Sequence, residues 1–226
     1  MKKSSSIPVI YEDDYVFAVN KPPKVASVPS PGLDIQQTVL GMVQEQFQDR
    51  DFKPYILHRL DSDTSGVLLF GKHQKDREAL ENIFREKTTR KIYVTLVKGI
   101  PRGGVLRMKL KARHTDVAVD AETKFKVLQV FKTDIVTTPC AFVEAEIITG
   151  RKHQIRQHFS TIGCPVVMDH LYGDEKFNSK FYKRYKLGRQ FLHAASVSFI
   201  NPITGKTVMI ETKLPPDLMS TIKKMA

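Results

Sequence analysis

The sequence predicts an α+β fold built on a mixed, mostly antiparallel sheet with flanking helices, and three observations carry that expectation. Strand-like runs dominate the 226 residues. Hairpin signals outnumber regular β-α-β alternation, which points to antiparallel pairing. No repeat or long linker interrupts the chain, so a single domain is expected over residues 1–226, with two lobes possible.

Residues 7–20 read as two strands, Pro8-Val9-Ile10-Tyr11 and Tyr15-Val16-Phe17-Ala18-Val19, around the acidic turn Glu12-Asp13-Asp14. Lys21-Pro22-Pro23-Lys24 ends them. Asp34 is placed to cap one helix in which Ile35, Val39, Val43 and Phe47 recur every four positions. Val67-Leu68-Leu69-Phe70 is a short apolar run of the kind a buried strand shows. A second helix is expected over residues 75–86, with Ala79, Leu80, Ile83 and Phe84 on one face, followed by the basic Arg85, Lys87, Arg90 and Lys91. Residues 92–97, rich in β-branched and aromatic side chains, form a strand that stops at Gly99 and Pro101. Residues 123–130 and 141–148 supply two more, the latter with Ala141, Val143, Ala145 and Ile147 on one face. Thr149-Gly150 leads into a helix carrying Ile155, Phe159 and Ile162, which Gly163 stops. A hairpin is signalled by Asn201-Pro202-Ile203-Thr204-Gly205, and a last short helix from Pro216 carries Leu218, Ile222 and Met225.

Composition narrows the partner. Lys and Arg total 36 against 24 Asp and Glu, a formal charge of +12, and such a surplus suits a polyanion because each cation that meets a phosphate releases condensed counterions. No apolar run approaches the roughly 20 residues of a spanning helix. Met1-Lys2-Lys3-Ser4-Ser5-Ser6 has a basic start but no apolar stretch behind it, so no secretory signal is read and a cytoplasmic chain is expected. Cys140 and Cys164 are isolated, as buried small hydrophobes usually are. The seven histidines, among them His114, His153 and His158, lack zinc-type spacing, and neither phosphate-binding glycine motif occurs. No metal and no cofactor is expected.

The chemistry concentrates in His58-Arg59-Leu60-Asp61-Ser62-Asp63-Thr64-Ser65-Gly66, a charged loop feeding a core strand. An aspartate there is commonly a turn former, but Arg59 nearby favours its ionised form, and Thr64-Ser65-Gly66 supplies donors for a tight turn. Two further stretches stand out: Thr149-Gly150-Arg151-Lys152-His153-Gln154-Ile155-Arg156, otherwise a basic solvated helix, and Lys91-Ile92-Tyr93, otherwise strand packing. The three resemble the HRLD-x-x-TSG, TGR-x-HQ-[IL]-R and K-x-Y motifs of the RluA family of pseudouridine synthases. Asn20-Lys21-Pro22, Asp120-Ala121-Glu122-Thr123 with Phe125, residues 163–173 and Phe191-Leu192-His193-Ala194 extend the likeness over about residues 16–215. Two positions depart from the pattern: Lys24 stands where family members often carry Gly, and Lys152 where Thr or Ser is common.

That resemblance implies the pseudouridine synthase fold with a central cleft, without an S4-type module, and an enzyme that isomerises specific uridines in ribosomal or transfer RNA after flipping them out of the helix. It casts Asp61 as the catalytic carboxylate, Arg156 as its ionic partner, and Tyr93 as a base-stacking residue whose phenol lies near the C5 proton. Ile155 is expected beside the target base, Arg59 in the gap the base leaves, and His58 and Thr64 among the substrate-binding residues. A monomer suffices for the chemistry. Val25-Ala26-Ser27-Val28-Pro29 is somewhat like the stretch in members that accept both ribosomal and transfer RNA stem-loops. Two rival classes share some of this pattern. A non-catalytic RNA-binding protein has no use for Asp61, Tyr93 and Arg156 together, and a nucleoside hydrolase or DNA glycosylase releases free base. Residues 176–186, where cations alternate with aromatics, fit either RNA contact or a surface helix with its aromatics turned inward.

Overall fold

The computed structural model describes residues 6–86, 88–111, 117–133 and 138–226; residues 1–5, Lys87 and His114 lie outside them. In chain order the strands are β1 (Val9–Glu12), β2 (Val16–Lys21), β3 (Tyr55–Ile56), β4 (Ser65–Gly71), β5 (Arg90–Lys98), β6 (Val105–Lys111), β7 (Ala118–Phe131), β8 (Cys140–Ile147), β9 (Leu192–Ile200) and β10 (Thr207–Glu211). The helices are α1 (Val39–Gln46), α2 (Arg77–Asn82), α3 (Gln154–Thr161), α4 (Glu175–Tyr185) and α5 (Pro216–Met225). The chain divides into two compact units, Met1–Arg90 with Ala194–Thr212, and Lys91–His193 with Lys213–Ala226.

In the first unit the strand order is β1-β2-β4-β9, with β3 on β4 and β10 on β9. β1 and β4 each pair antiparallel with β2, and β10 with β9. Every residue of β4 is buried, because side chains alternate between two covered faces. On one face Val67 and Leu69 join Val16, Ala18, Val197 and Phe199 under Leu80 of α2 and Ile83. On the other, Phe17 stacks between Phe70 and Phe47, with ring centroids 5.1 and 4.6 Å away.

The helix expected from Ile35 onward is broken. Thr38 is extended, with φ −114° and ψ 161°, and separates a single 3-10 turn at Ile35–Gln37 from α1. Its hydroxyl donates to the Ile35 carbonyl at 2.6 Å and accepts from Gly41 N at 3.2 Å, ending one element and capping the next. The turn lies so close over α1 that a Cβ on Gly41 would come within 2.0 Å of the Ile35 carbonyl oxygen. The second expected helix is likewise reduced to the six residues of α2 between single 3-10 turns.

In the second unit the order is β5-β8-β7-β6, and each of those neighbours pairs antiparallel. Adjacent residues again face opposite ways. Val97 and Ala141 lie in the cluster formed with Ile155 and Phe159 of α3, whereas Leu96 and Cys140 lie in the cluster formed with Phe177 and Phe181 of α4 and Leu218 of α5. Burial pushes the Cys140 thiol up to about 12, so this cysteine is an inert core residue. β6 was not expected, although Leu106, Met108 and Leu110 alternate with Arg107 and Lys109 along it.

Gly66 opens β4 with φ +118°, and a Cβ there would sit 2.1 Å from the Ala194 carbonyl oxygen. Gly66→Ala is therefore expected to destabilise the protein by more than about 3 kcal/mol, through backbone strain and collision with β9. Urea unfolding followed by circular dichroism checks this; a midpoint unchanged from wild type contradicts it.

Candidate active site

Asp61 lies half-buried in the loop between β3 and β4, and that loop is braced along its length. Upstream, Ser27 Oγ donates to the Leu60 carbonyl at 2.7 Å and accepts from Leu60 N at 3.1 Å. Within it, Thr64 N donates to the Asp61 carbonyl at 3.1 Å, closing a tight turn. Downstream, the fully buried Lys21 at the end of β2 donates to the carbonyls of Ser62 and Thr64 at 2.8 and 2.9 Å, and to that of Pro22 at 2.8 Å. A lysine ammonium has three donors, and these three carbonyls match them.

Of the other residues read from this loop, Thr64 is buried in the turn and Arg59 is exposed. His58 is engaged structurally: its Nε2 accepts from Leu69 N at 3.1 Å, and its ring lies 4.5 Å from that of Phe84. That acceptor role places the ring proton on Nδ1. Lys24, the departure from the family pattern, sits in the left-handed region at φ 64°, where a glycine costs nothing and an L side chain roughly 1 kcal/mol.

In the second unit Tyr93 is half-buried and packs on the cluster that contains Ile155. Ile155 and Arg156 open α3 behind His153, whose φ is 54°. Gln154 locks the turn before them: its Oε1 accepts from Thr149 Oγ1 at 2.6 Å and Arg151 N at 3.0 Å, and its Nε2 donates to the Glu122 carbonyl and Thr123 Oγ1 at 2.9 Å each. The Asp120-Ala121-Glu122-Thr123 stretch and the Thr149-to-Arg156 stretch are thus one interlocked structure.

Arg156 forms a buried two-point pair with Asp169, Nε to Oδ2 at 2.6 Å and Nη2 to Oδ1 at 2.8 Å. Asp169 Oδ1 also accepts from Leu171 N and Tyr172 N at 2.8 and 3.0 Å. The Arg156 guanidinium stands 5.2 Å from the Tyr172 ring centroid, and Tyr172 OH contacts His153 Nδ1 at 3.1 Å. Sequence reading singled out Arg156 but missed Asp169; it lies inside the family-like 163–173 segment, which was the available signal. Burial by itself raises the Asp169 carboxyl, but the Arg156 and backbone hydrogen bonds outweigh it and hold the group below the usual aspartate range.

The other features singled out in the sequence fall outside this constellation. His158 is fully buried, and burial lowers its pKa. In α4, Phe177, Phe181 and Tyr185 face the core while Tyr182 is exposed, so three of its four aromatics pack inward. Among the described residues no group of three or more His, Cys, Asp or Glu side chains is placed to hold a metal ion, and no helix is long and apolar enough to cross a membrane.

This architecture is that of the pseudouridine synthases. Two human structures share it: RNA Pseudouridylate Synthase Domain Containing 4, with TM-score 0.76 and 22% identity over 96% of this chain and 92% of that one, and Domain Containing 1, with TM-score 0.74 and 22% identity over 98% and 89%. A sequence profile described as RNA pseudouridylate synthase matches residues 15–161. Proteins named ribosomal large subunit pseudouridine synthase C are 31% identical in Vibrio cholerae and 33% in Escherichia coli K12, each over 96% of this chain and 69% of the relative. The chain belongs to the RNA pseudouridylate synthase family, enzymes that isomerise uridine within RNA.

Two consequences of the bracing are measurable. Lys21→Met leaves three carbonyls without their ammonium and is expected to cost roughly 3 kcal/mol; an unfolding midpoint equal to wild type speaks against it. Asp169 is more acidic in the folded chain than unfolded, so its contribution is complete above the ordinary aspartate value of about 3.9 and drains away as pH falls further. Asp169→Asn should lower stability at neutral pH and flatten the acid limb of the stability curve below about pH 4. An acid limb as steep as that of wild type counts against this assignment.

Proposed function

We propose that this chain isomerises specific uridines of ribosomal RNA, and of transfer RNA where the stem-loop suits, with Asp61 as the catalytic carboxylate. The observation that carries the reading is a half-buried aspartate in a loop whose backbone is held before, within and after it, as a reacting group requires. The relatives named for the ribosomal large subunit support the choice of RNA.

Glycoside hydrolysis ordinarily takes two carboxylates because a water must be activated. Isomerisation consumes no water. The C1′–N1 bond breaks and a C1′–C5 bond forms, while the uracil loses its C5 proton and gains one on N1. One carboxylate serves this in either of two ways: Asp61 attacks C1′ to give a ribosyl ester, or it removes the 2′ proton to give a glycal. The freed uracil turns and rejoins through C5, displacing the Asp61 ester on the first route or adding at C1′ as Asp61 returns the proton to C2′ on the second, and Asp61 or Tyr93 takes the C5 proton. Arg156 serves as the ionic partner of Asp61. Ile155 and Tyr93 receive the base, with Tyr93 stacking on it, while His58 and the buried Thr64 contribute to RNA binding by holding the loop that meets it. The target nucleotide leaves the RNA stack, and the exposed Arg59 guanidinium fills the gap by stacking and hydrogen bonding. The enzyme acts as a cytoplasmic monomer without a cofactor.

The test uses a large-subunit ribosomal RNA transcript tritiated at uridine C5, scoring proton release and mapping the product by carbodiimide-dependent primer stops. Asp61→Asn is expected to lower turnover at least about 10³-fold while RNA binding stays near wild type. Isomerisation that survives this substitution overturns the assignment, and release of free uracil by the wild type selects the hydrolase reading instead.

A further inference from the structure

The surplus of positive charge is not shared between the two units. Met1–Arg90 with Ala194–Thr212 contains 14 Lys and Arg against 14 Asp and Glu, whereas Lys91–His193 with Lys213–Ala226 contains 22 against 10. The formal +12 of the chain therefore belongs entirely to the second unit.

Within that unit the sheet is partly self-neutralised. Arg107 pairs with Glu122 across β6 and β7, and Lys126 with Glu144 across β7 and β8. The helices α4 and α5 differ. α4 turns Phe177, Phe181 and Tyr185 into the core, which leaves Lys176, Lys180 and Lys183 as an exposed row at helical spacing, about 10 Å long at 1.5 Å per residue. Arg184 and Lys186 are exposed beside it, as is Tyr182, 49% accessible and 5.8 Å beneath the Lys186 ammonium. α5 packs on the same core and adds the exposed Lys223 and Lys224. The aspartates at the N-terminal ends of these helices are engaged elsewhere: Asp174 takes Lys98, and Asp217 takes the buried Arg189 through two hydrogen bonds. Among the described residues Lys176, Lys180, Lys183, Lys223 and Lys224 form no ion pair.

We propose that the outward faces of α4 and α5 are a phosphate-docking surface that holds the RNA stem flanking the target uridine. A row of exposed lysines on a rigid, core-anchored helix contacts backbone phosphate without reading sequence, and Tyr182 offers a ring face for an unpaired base at the edge of the row. The inference rests on the RNA reading above and adds to it a site of affinity separate from the residues assigned to chemistry.

The experiment uses the full chain, a labelled RNA hairpin of about 20 base pairs as binding probe, and the tritiated ribosomal transcript for turnover. The triple variant Lys176→Gln/Lys180→Gln/Lys183→Gln is compared with Lys53→Gln/Lys75→Gln/Lys206→Gln, which removes the same charge from exposed positions of the neutral unit. The α4 variant should lower the slope of log Kd against log salt by about two and weaken binding roughly tenfold at 150 mM salt, with turnover at saturating RNA within about twofold of wild type. The control variant should stay near wild type in both. Equal losses in the two variants, an unchanged slope in the α4 variant, or lost turnover with intact binding each overturn the proposal. If the wild type binds the hairpin through these lysines but isomerises no uridine, the docking surface stands and the functional reading falls. If it isomerises uridine and the α4 variant binds like wild type, only the surface falls.

Discussion

The arrangement of the Asp61 loop depends on one buried ammonium. Lys21 has no exposure to solvent, and its three hydrogens reach three backbone carbonyls, two of them in the loop. A buried charge persists only where its desolvation is offset, and full hydrogen bonding to oriented carbonyl dipoles does this. The neighbouring constraint is steric. Lys21 pairs in register with Gly66, and Gly66 has no room for a side chain against Ala194. The loop is thus held from β2 by polar contacts while the strand it enters is held from β9 by close backbone approach. Asp61 sits on a backbone with little freedom, which is what a group positioned for a reaction needs.

The second unit solves the same problem with a different pair. The Asp169 carboxylate accepts two hydrogen bonds from the Arg156 guanidinium and two from backbone N–H groups, so the arginine is oriented by a group that is itself oriented. Gln154, immediately before Ile155, does the same for the turn, joining Thr149 to β7. Both units therefore rely on a side chain whose own contacts are with backbone or with fixed partners. Such a network is fully satisfied or strongly destabilising, with little between.

Much of this was legible in the sequence where one local rule governs. The β4 run, the alternation in β8, the hairpin at Asn201 and the inward face of α5 follow from periodicity alone. The misreadings have definite causes. Ile35, Val39, Val43 and Phe47 keep helical spacing, yet Thr38 breaks the helix because its hydroxyl serves the turn before it and the helix after it. β6 carries a period-2 pattern whose exposed positions are all Arg or Lys apart from Val105, and so reads as a charged loop. Asp61 and Arg156 were singled out because they lie in recognisable motifs, but Asp169 was not, since its partner is 13 residues away and only the fold sets the distance. Lys21 was noticed within a motif, while its job, reaching carbonyls more than 40 positions downstream, is a tertiary fact.

The division of charge follows from the same separation of tasks. The unit carrying Asp61 has as many acidic as basic residues, and the unit carrying Arg156 has twelve more basic than acidic. Electrostatic attraction to a polyanion is long-ranged and indifferent to sequence, whereas holding a carboxylate in one geometry is short-ranged and depends on packing and hydrogen bonds. Were the surplus spread over both units, every change in surface charge near the Asp61 loop would disturb attraction and geometry together. With the surplus on one unit, the basic residues of the helices can change without altering the hydrogen bonds that brace the Lys21 loop. Attraction to a polyanion and the geometry of the loop then respond to different substitutions.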